Sequence, residues 1–468
     1  MKREKIMKRK LLSLLLSLAI IFGILSSVTA YAVTEPYKQA SFSAVDKGWV
    51  TSVKDQGNTG CCWAFAAISC LESDVIQKGY ERNPDFSEAH LVWEVFGGKT
   101  SNPYYTAGDT SDVIQAISVN YGLADESDFP FYPNDLSKMG NYKPEDVYKT
   151  NGYTISNTVY LRDRDSIKKW VSTHGGAAMS FIVPSGSRFT YWDNKDISFC
   201  NKNESVNGAF HIVTIVGWDD NYSKTNFKNQ PENNGAWLCK NSWGTGWGDN
   251  GYFWLSYEEH TAASASGYET AKVNYNTVYT HNDSSYGAFY TGKKQLKCAN
   301  VFNLKAGEEI KGCSLYSFNQ EPENFKLIKL NNNYTGPEDG IVITKGTLNN
   351  KYDGYIYQNI SNIISEDGFY AVIVHVADSS SCIYPMENYT LSSQQEPKRQ
   401  SYVDCGAGWD DNGDNNFYLN LYTEDPDFVN PVSPDSSVTP PDSESWFQII
   451  IEAIVNFFKN IFSYIWNF

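Results

Sequence analysis

Two parts of the chain differ in the spacing of their apolar residues. In residues 62–79 apolar side chains recur at steps of three and four: Phe65, Ile68, Leu71 and Val75. That period predicts an amphipathic helix that begins at Cys62 and ends near Gly79. Residues 44–265 mix helical and strand patterns, whereas residues 276–423 are mostly short strands between Asn, Gly and Asp turns. The clearest predicted strands of the second part are Phe325–Leu330, Phe369–Val376 and Phe417–Tyr422.

The first 32 residues have the pattern of an export signal. Basic residues precede an apolar run at 11–28, and Ala30-Tyr31-Ala32 follows as a small-x-small cleavage pattern. The pattern predicts a signal peptide over residues 1–32 that is cleaved after Ala32. A retained membrane anchor is the alternative, which the immediate change to polar sequence disfavours.

The end of the chain changes composition twice. Residues 424–445 are dominated by Pro, Ser, Asp and Glu, which predicts an extended linker. Residues 446–468 are mostly apolar, and steps of three and four bring their polar residues onto one helical face: Gln448, Glu452, Asn456, Lys459, Asn460, Ser463 and Asn467. This predicts an amphipathic helix that lies on a membrane surface or docks on a partner. The alternative is a helix that folds back onto its own protein.

Composition narrows the function classes. Hydrophobic residues make up 41% and aromatic residues 15% of the chain, which excludes wholesale disorder. The formal net charge is −16 and no basic run follows the first ten residues, so nucleic acid is not an expected partner. The nine cysteines form no CxxC pair, so no structural zinc site is expected. Their odd number favours one thiol that is kept free for chemistry.

Nucleophilic chemistry is predicted around Cys62, in the stretch Gln56–Phe65. A thiol at a helix N-terminus feels the positive end of the helix dipole, which lowers its pKa and favours the thiolate. The side-chain N–H of Gln56, six residues earlier, can reach the same helix end as an oxyanion donor. Because Cys61 is adjacent, the residues alone leave the choice of nucleophile open. The alternative for Cys61 is a small buried side chain.

Two later segments supply a base and an orienting amide. His211 begins an apolar β run in Gly208–Trp218, although a histidine at a strand end is by itself more often structural. Asn241 lies between a strand and a Gly/Trp-rich turn in Trp237–Gly251. An amide there accepts a hydrogen bond from one imidazole nitrogen and leaves the other to face the thiol.

The three segments together resemble the papain family of cysteine peptidases. The order Cys, His, Asn, the string Lys-Asn-Ser-Trp-Gly and the glutamine six residues before the cysteine carry this resemblance, which covers residues 44–265. It implies an α+β peptidase domain with a helical lobe and a β-barrel-like lobe. It also implies that Cys62 is the nucleophile, His211 the general base, Asn241 the orienting amide and Gln56 the oxyanion-hole glutamine.

The same resemblance implies four substrate-binding residues. Ala107 and Gly108 match the glycine pair of the cleft wall, where the Gly108 backbone would hydrogen-bond an extended substrate. Trp243 matches the tryptophan that shields the His–Asn bond from water. Ala178 falls where the family has a specificity-pocket residue.

The chain departs from the family pattern at several positions. Thr59 stands where the family usually has a cysteine, so that disulfide is absent. Cys61 replaces the usual Ser or Ala, and Phe210 replaces a polar residue before the histidine, a change that bears on the pH profile. Residues 219–235 resemble a surface loop inserted between strands. We expect no room for the family's long inhibitory propeptide before residue 44, so any latency would come from elsewhere.

Residues 276–423 resemble the lectin-like domain that follows papain-type peptidases in secreted and cell-wall proteins of clostridia and methanogens. The short motifs that carry it are Tyr286-Gly287, Ala299–Phe302, Gly307–Ile310, Pro385–Glu387, Ser401-Tyr402 and Gly408–Asp411. The resemblance implies a β-sandwich; a sugar ligand and a packing or substrate-positioning role stay open as alternatives. One turn of this second part offers oxygen ligands of the type that calcium uses, although a solvated acidic turn is the favoured interpretation. The candidate ligands are Asp410, Asp411, Asn412 and Asp414.

These observations predict a secreted, cell-surface-associated cysteine endopeptidase that acts on proteins or peptides. No cofactor is predicted, and calcium in the second domain is the one candidate metal. The predicted partners are a cell-wall or glycan ligand for the lectin-like domain and a membrane surface or protein for residues 446–468. One alternative is a non-catalytic adhesin on a peptidase-like platform, against which the four intact site residues argue. Another is a Cys/His peptidoglycan hydrolase, which is not expected to carry the Asn-Ser-Trp-Gly string.

Overall fold

The structure is a computed structural model of the chain. It describes residues 35–428 except for residues 98, 120–121, 142–151, 186–191, 194–196, 203–206, 263, 283–287, 293–295, 349–351, 377–381, 388–398 and 414. The chain divides into two units, Met1–Phe428 and Val429–Phe468. The predicted signal peptide, most of the predicted linker and the predicted helix at 446–468 lie outside the described residues. Within the described part of the chain, no helix is both long and apolar enough to cross a bilayer.

The α-helices of the described residues all precede residue 175. They are α1 (Cys62–Gln77), α2 (Glu88–Phe96), α3 (Thr110–Val119) and α4 (Arg164–His174). The sequence prediction for α1 is confirmed: the helix begins at Cys62 and ends two residues before Gly79, whose φ of 69° stops it. Helix α4 has a capping box, in which the Asp163 carboxylate accepts from the backbone N–H of Ser166 at 2.8 Å.

The strands of the first half form the β-barrel-like lobe. They are β1 (Ser41–Ser43), β2 (Tyr153–Leu161), β3 (Ala177–Pro184), β4 (Ser198–Phe199), β5 (Gly208–Asp219), β6 (Ala236–Lys240), β7 (Tyr252–Ser256) and β8 (Ala265–Lys272). Their order is β4-β7-β6-β5-β3-β8-β2, with β1 also paired to β5. All neighbours are antiparallel except β4 and β7. The segment between β5 and β6, predicted as an insertion, contains only one short 3₁₀ turn.

The described strands of the second half form two facing sheets and one separate two-stranded sheet. They are β9 (Thr277–Tyr279), β10 (Ala288–Gly292), β11 (Lys297–Leu304), β12 (Glu309–Ser317), β13 (Glu323–Leu330), β14 (Gly340–Leu348), β15 (Gly354–Ile363), β16 (Gly368–Val376), β17 (Cys382–Met386), β18 (Ser401–Asp404), β19 (Trp409–Asp411) and β20 (Leu419–Glu424). One face is β15-β12-β20-β9 and the other is β14-β13-β16-β11-β18-β19. Strands β10 and β17 pair with each other in the separate sheet. Apolar residues of both faces, such as Leu315 and Val372, share one core, so the predicted sandwich is confirmed.

The two halves are joined by hydrogen bonds between β2 and β15. Ile356 lies opposite Asn157, and the backbone N–H of Tyr355 donates to the Thr158 hydroxyl at 2.9 Å. Nearby, the hydroxyls of Tyr160 and Tyr316 are 2.9 Å apart. One sheet therefore runs without a break from the barrel-like lobe into the sandwich, and we call it the long sheet.

Strand β5 separates the two lobes of the first half. Val213 and Ile215 point into the core of the barrel-like lobe. On its other face Ile212 packs against the helical core, and the Thr214 hydroxyl donates to the carbonyl of Ala66 in α1 at 3.3 Å. Strand β5 and the start of α1 therefore meet where the lobes meet, which positions the candidate site.

Most cysteines are buried thiols and not parts of a disulfide framework. Free thiols occur at Cys61, Cys62, Cys70, Cys200, Cys239, Cys298 and Cys313. All of these except Cys62 are buried. These cysteines therefore serve mainly as small apolar side chains of the core and not as disulfide crosslinks.

Candidate active site

Cys62 is the first residue of α1, and its side chain is half-buried between the lobes. The backbone N–H groups of Ile212, Trp63 and Cys62 itself lie close enough to the sulfur to favour its anion. Burial acts in the opposite direction and is the larger effect, so the pKa of the Cys62 thiol is raised. The sequence predicted a lowered pKa from the helix end alone, and the covering lobe reverses that direction.

The adjacent thiol of Cys61 has a different environment. Its side chain is completely buried, and its Sγ donates to the carbonyl of Tyr104 at 3.2 Å. Burial raises the pKa of Cys61 to about 12. Cys61 therefore belongs to the core of the helical lobe, and Cys62 is the cysteine of this pair that faces the opposite lobe.

His211 is held by an amide and an indole. Its Nε2 lies 2.8 Å from Oδ1 of Asn241, an oxygen that can only accept, so Nε2 carries the hydrogen and Nδ1 is the free basic nitrogen. Trp243 stacks on the imidazole with ring centroids 4.6 Å apart and planes at 24°. Burial lowers the pKa of His211 to about 4, and the bond to Asn241 opposes part of that shift.

Gln56 is oriented by two hydrogen bonds at opposite ends of its amide. The Ser242 hydroxyl donates to Oε1 at 2.6 Å, and Nε2 donates to the carbonyl of Thr59 at 2.9 Å. The backbone N–H of Gln56 also donates to the Ser242 carbonyl at 2.9 Å. Since an amide nitrogen has two hydrogens, one N–H of Gln56 stays available for an oxyanion.

The four predicted catalytic residues come together from three separate segments. The N–H of Ile212, the residue after His211 on β5, lies near the Cys62 sulfur. Gln56 is linked to the turn after β6 through Ser242, which follows Asn241. Cys62, the His211–Asn241 pair and Gln56 therefore lie at the same junction of the two lobes, where acyl transfer needs a thiol, a base and an N–H donor.

The predicted substrate-binding residues have unequal exposure. Ala107 is exposed and Gly108 half-exposed, on the helical-lobe side. A Cβ at Gly108 would lie 2.7 Å from the indole of Trp63, so the backbone there is close to α1 in a way that only glycine allows. Trp243 is half-buried over His211, whereas Ala178 lies opposite Thr214 on β3 and is almost fully covered.

Two features near the site were missed from sequence. Ser242 orients Gln56, although its place within the string Asn-Ser-Trp-Gly was a usable signal. A buried ionic cluster supports Lys240: Lys54 is 3.4 Å from Glu72 and 3.0 Å from Glu88, and Lys240 donates to the Thr51 hydroxyl at 3.1 Å. Nothing in the spacing of these five residues along the chain indicated that they meet.

Of the candidate calcium ligands, Asp411 and Asn412 have hydrogen-bond partners within the protein, and Asp410 is exposed. The Asp411 carboxylate accepts from the backbone N–H groups of Arg399 and Gly413 at 2.8 and 2.9 Å. Asn412 is buried, and Asp414 lies outside the described residues. Among the residues that are described, no three His, Cys, Asp or Glu side chains are grouped to hold a metal ion. Calcium binding at this turn stays a prediction.

Residues 39–281, just over half of the chain, match the family model "papain family cysteine protease". The chain therefore belongs to the papain family of cysteine proteases. Procathepsin L of Felis catus is 30% identical over 208 residues, which are 44% of this chain and 57% of that protein. Cathepsin L2 of Homo sapiens is 30% identical over 216 residues, which are 46% of this chain and 59% of that protein. The chain thus spans less than two thirds of these relatives.

Solved structures extend the likeness to the second half. The clostridial cysteine protease Cwp84 after propeptide cleavage superimposes with a TM-score of 0.70 and 24% identity, over 82% of this chain and all of that one. The protease and lectin-like domains of Cwp84, a surface-layer-associated protein of Clostridium difficile, give a TM-score of 0.68 and 24% identity. That match covers 83% of this chain and 89% of the other. This chain and Cwp84 therefore share a papain-like fold followed by a β-rich domain.

Proposed function

We propose that this chain is a cysteine endopeptidase in which Cys62 attacks the peptide carbonyl and His211 transfers the protons. The observation that carries the proposal is the junction of the two lobes, where Cys62 lies beside β5 and the His211–Asn241 bond leaves Nδ1 free. Membership of the papain family supports it, since that family is defined by this chemistry.

The first step moves the thiol proton to Nδ1 of His211. Burial favours the neutral thiol and the neutral imidazole, because it raises the pKa of Cys62 and lowers that of His211. Proton transfer creates the Cys62 thiolate and the His211 imidazolium together. Their mutual attraction, in a cleft that is partly shielded from water, opposes the preference for the neutral pair. Asn241 holds the imidazole through Nε2, and Trp243 covers its face, so the ring keeps one orientation.

The Cys62 sulfur then attacks the carbonyl carbon, and the oxyanion accepts from the Cys62 backbone N–H and the free N–H of Gln56. His211 donates its new proton to the leaving amine, which breaks the C–N bond and leaves a thioester on Cys62. The neutral imidazole next takes a proton from water, whose oxygen attacks the thioester and releases the acid. No step needs a metal or a redox partner.

The location and partners belong to the same proposal. We infer export from the predicted signal peptide at residues 1–32, and a cell-surface location from the predicted amphipathic helix at 446–468. The surface-layer association stated for Cwp84 supports this location. The sandwich would hold a cell-wall glycan, and proteins or peptides would be the substrates.

The test is covalent labelling of the mature chain, residues 33–468, by an epoxysuccinyl peptide that alkylates papain-type nucleophiles. We expect one adduct at Cys62 by fragmentation mass spectrometry. The adduct should be lost in His211→Ala and retained in Cys61→Ser, the matched control at the neighbouring thiol. Casein and isolated cell wall, digested in parallel, separate a peptidase from a peptidoglycan hydrolase.

Two results would contradict the proposal. An adduct at Cys61 would move the nucleophile by one residue and conflict with its buried contact to Tyr104. The absence of any adduct in a chain with a folded circular dichroism spectrum would favour the adhesin alternative.

A further inference from the structure

Phe210 is the most unusual side chain beside the candidate nucleophile. It is 74% exposed, although it directly precedes His211, which is 5% exposed. A large aromatic side chain that stays exposed does not gain the free energy of burial, so Phe210 contributes little to the stability of the fold. A single exposed aromatic is ordinary on a protein surface, and its meaning depends on where it points.

The alternation of β5 shows which way Phe210 points. Side chains two residues apart share a face of a strand. Phe210 therefore shares the face of Ile212 and Thr214, and that face packs on α1. The Thr214 hydroxyl donates to the carbonyl of Ala66, about one turn into α1, and the Ile212 N–H lies near the sulfur of Cys62 at the start of α1. Two residues span about 7 Å of strand, so Phe210 lies beyond the helix end, in the open part of the cleft.

A second apolar side chain extends the same surface. Ile182 of β3 is the direct cross-strand partner of Phe210 and is half-buried. Directly paired side chains of neighbouring strands lie side by side on one face. Phe210 and Ile182 together form a small apolar patch next to the candidate nucleophile, which we call the Phe210 patch.

The proton path shows which half of a substrate meets this patch. His211 gives its proton to the leaving amine from Nδ1, since Nε2 is bonded to Asn241. The leaving amine must therefore lie on the imidazole side of the sulfur. Phe210 directly precedes His211 on β5, and its exposed side chain lies on the face that looks towards α1 and the open cleft. The residue that follows the scissile bond is the part of the substrate nearest to the Phe210 patch.

We propose that Phe210 is a specificity-determining residue that selects peptide bonds followed by a large apolar or aromatic residue. This inference rests on the proposed peptidase function and adds the substrate preference on the leaving-group side. Burial of the substrate side chain against Phe210 and Ile182 removes apolar surface of both partners from water. A contact of this size is worth a selectivity of about tenfold or more.

The experiment begins with the mature wild-type chain and a mixed peptide library, in which mass spectrometry identifies each cleaved bond. Two quenched peptides are then made with the same acyl-side sequence and either Phe or Asn after the scissile bond. We expect kcat/KM for the Phe peptide to exceed that for the Asn peptide by about tenfold. Because kcat/KM reports steps up to acylation, it isolates the leaving-group contact.

Three variants test the residue itself, each titrated with the epoxysuccinyl reagent for active sites. Phe210→Asn should bring the Phe/Asn ratio close to one, and Phe210→Leu should keep most of it. Phe369→Asn is the matched control, because Phe369 is 42% exposed on β16 in the second half. It should leave the ratio and the rates unchanged.

The outcomes separate this inference from the function on which it rests. A wild-type ratio near one, or a preference that survives in Phe210→Asn, overturns the role of Phe210 while peptide cleavage still supports the peptidase. No cleavage of any peptide together with no adduct at Cys62 overturns the proposed function itself.

Discussion

At the scale of single residues, hydrogen-bond partners decide the geometry of the candidate site. Gln56 has the right residue type for an oxyanion donor, but its amide becomes directed only through Ser242 and Thr59. His211 is likewise directed through Asn241. A long polar side chain with both ends bonded has little freedom left to lose when the oxyanion forms, which is the advantage of preorganisation.

A prediction at this scale concerns the oxyanion donor. Gln56→Ala removes the side-chain N–H, and we expect kcat to fall by about 10²–10³. Ser242→Ala keeps the donor and removes only its orienting contact, so its loss should be smaller, about tenfold. Steady-state kinetics with a single quenched peptide measures both. Equal losses in the two variants would mean that Gln56 does not act as a donor.

The two adjacent cysteines show what residue identity leaves undetermined. Both are thiols next to one helix end, yet Cys61 is completely buried against Tyr104 and Cys62 is half-buried beside Ile212. Their order in the chain rotates them by about 100° around α1. Only the packing of the helical lobe decides which of the two thiols points into the core and which faces the other lobe.

At the scale of elements, the apolar period predicted what a short segment encodes locally. Helix α1 begins and ends where the period and Gly79 predicted. Strands β13 and β16 cover the predicted runs at Phe325–Leu330 and Phe369–Val376, while β20 begins at Leu419, two residues later than expected. The two residues before β20 pair irregularly: Phe417 bridges Met386 of β17, and the carbonyl of Tyr418 accepts from the N–H of Tyr316 in β12. The apolar pattern of the segment does not encode this change of partner.

A buried carboxyl lies at the start of β13, and we expect it to make the stability of the second half depend on pH. Glu323 accepts hydrogen bonds from Ser317 and Asn319 at 3.0 and 2.9 Å. Burial raises the pKa of Glu323 to about 7, from an ordinary value of 4.5. Between these pH values the folded chain keeps a proton that the unfolded chain has lost. Folding stability contributed by this group therefore falls as the pH rises through this window.

We predict that Glu323→Gln removes this dependence. Between pH 5 and 7, the free energy of unfolding of the variant relative to wild type should rise by up to about 1.4 kcal/mol per pH unit. Above pH 8 this difference should stay constant. Urea unfolding at pH 5, 6, 7 and 8 measures the difference. Glu321→Gln, which removes an exposed carboxylate two residues away, is the control and should stay parallel to wild type. Parallel curves for Glu323→Gln as well would contradict the prediction.

At the scale of the whole molecule, the long sheet makes the peptidase half and the sandwich one structure. The seam between β2 and β15 is tight at Gly354, where a Cβ would lie 2.0 Å from the carbonyl oxygen of Thr158. The φ of Gly354 is 149°, which side chains other than glycine rarely adopt. Arg162 and Asp353 form an ion pair across the same seam. Backbone pairing of this kind couples the unfolding of the elements it joins.

A glycine substitution tests this coupling. Gly354→Ala should destabilise the chain by about 2–5 kcal/mol, through the clash and the strained φ together. Gly307→Ala is the matched control: its φ is 95° with open space around it, so only the strain of about 1–2 kcal/mol applies. Hydrogen exchange in increasing urea should show that Gly354→Ala shifts peptides from α1 and β6 together with those from β15. A shift confined to the second half would show that the halves unfold independently.

The sequence by itself determined the chemistry-bearing residues and the local elements. Motif order, the helical period after Cys62 and the strand runs of the second half are encoded by neighbours along the chain. The resemblance carried by these motifs also predicted the family and the sandwich, which the comparisons and the structure confirm.

Only the tertiary structure decided how those residues are tuned and joined. The raised pKa of Cys62, the bond from Ser242 to Gln56, the exposed face of Phe210 and the seam at Gly354 all depend on residues far apart in the chain. Burial and hydrogen bonding depend on which residues are neighbours in space. A period of two or of 3.6 residues along the sequence indicates only which face of a strand or helix a side chain occupies. What packs against that face is set by the closure of the lobes and the pairing of β2 with β15.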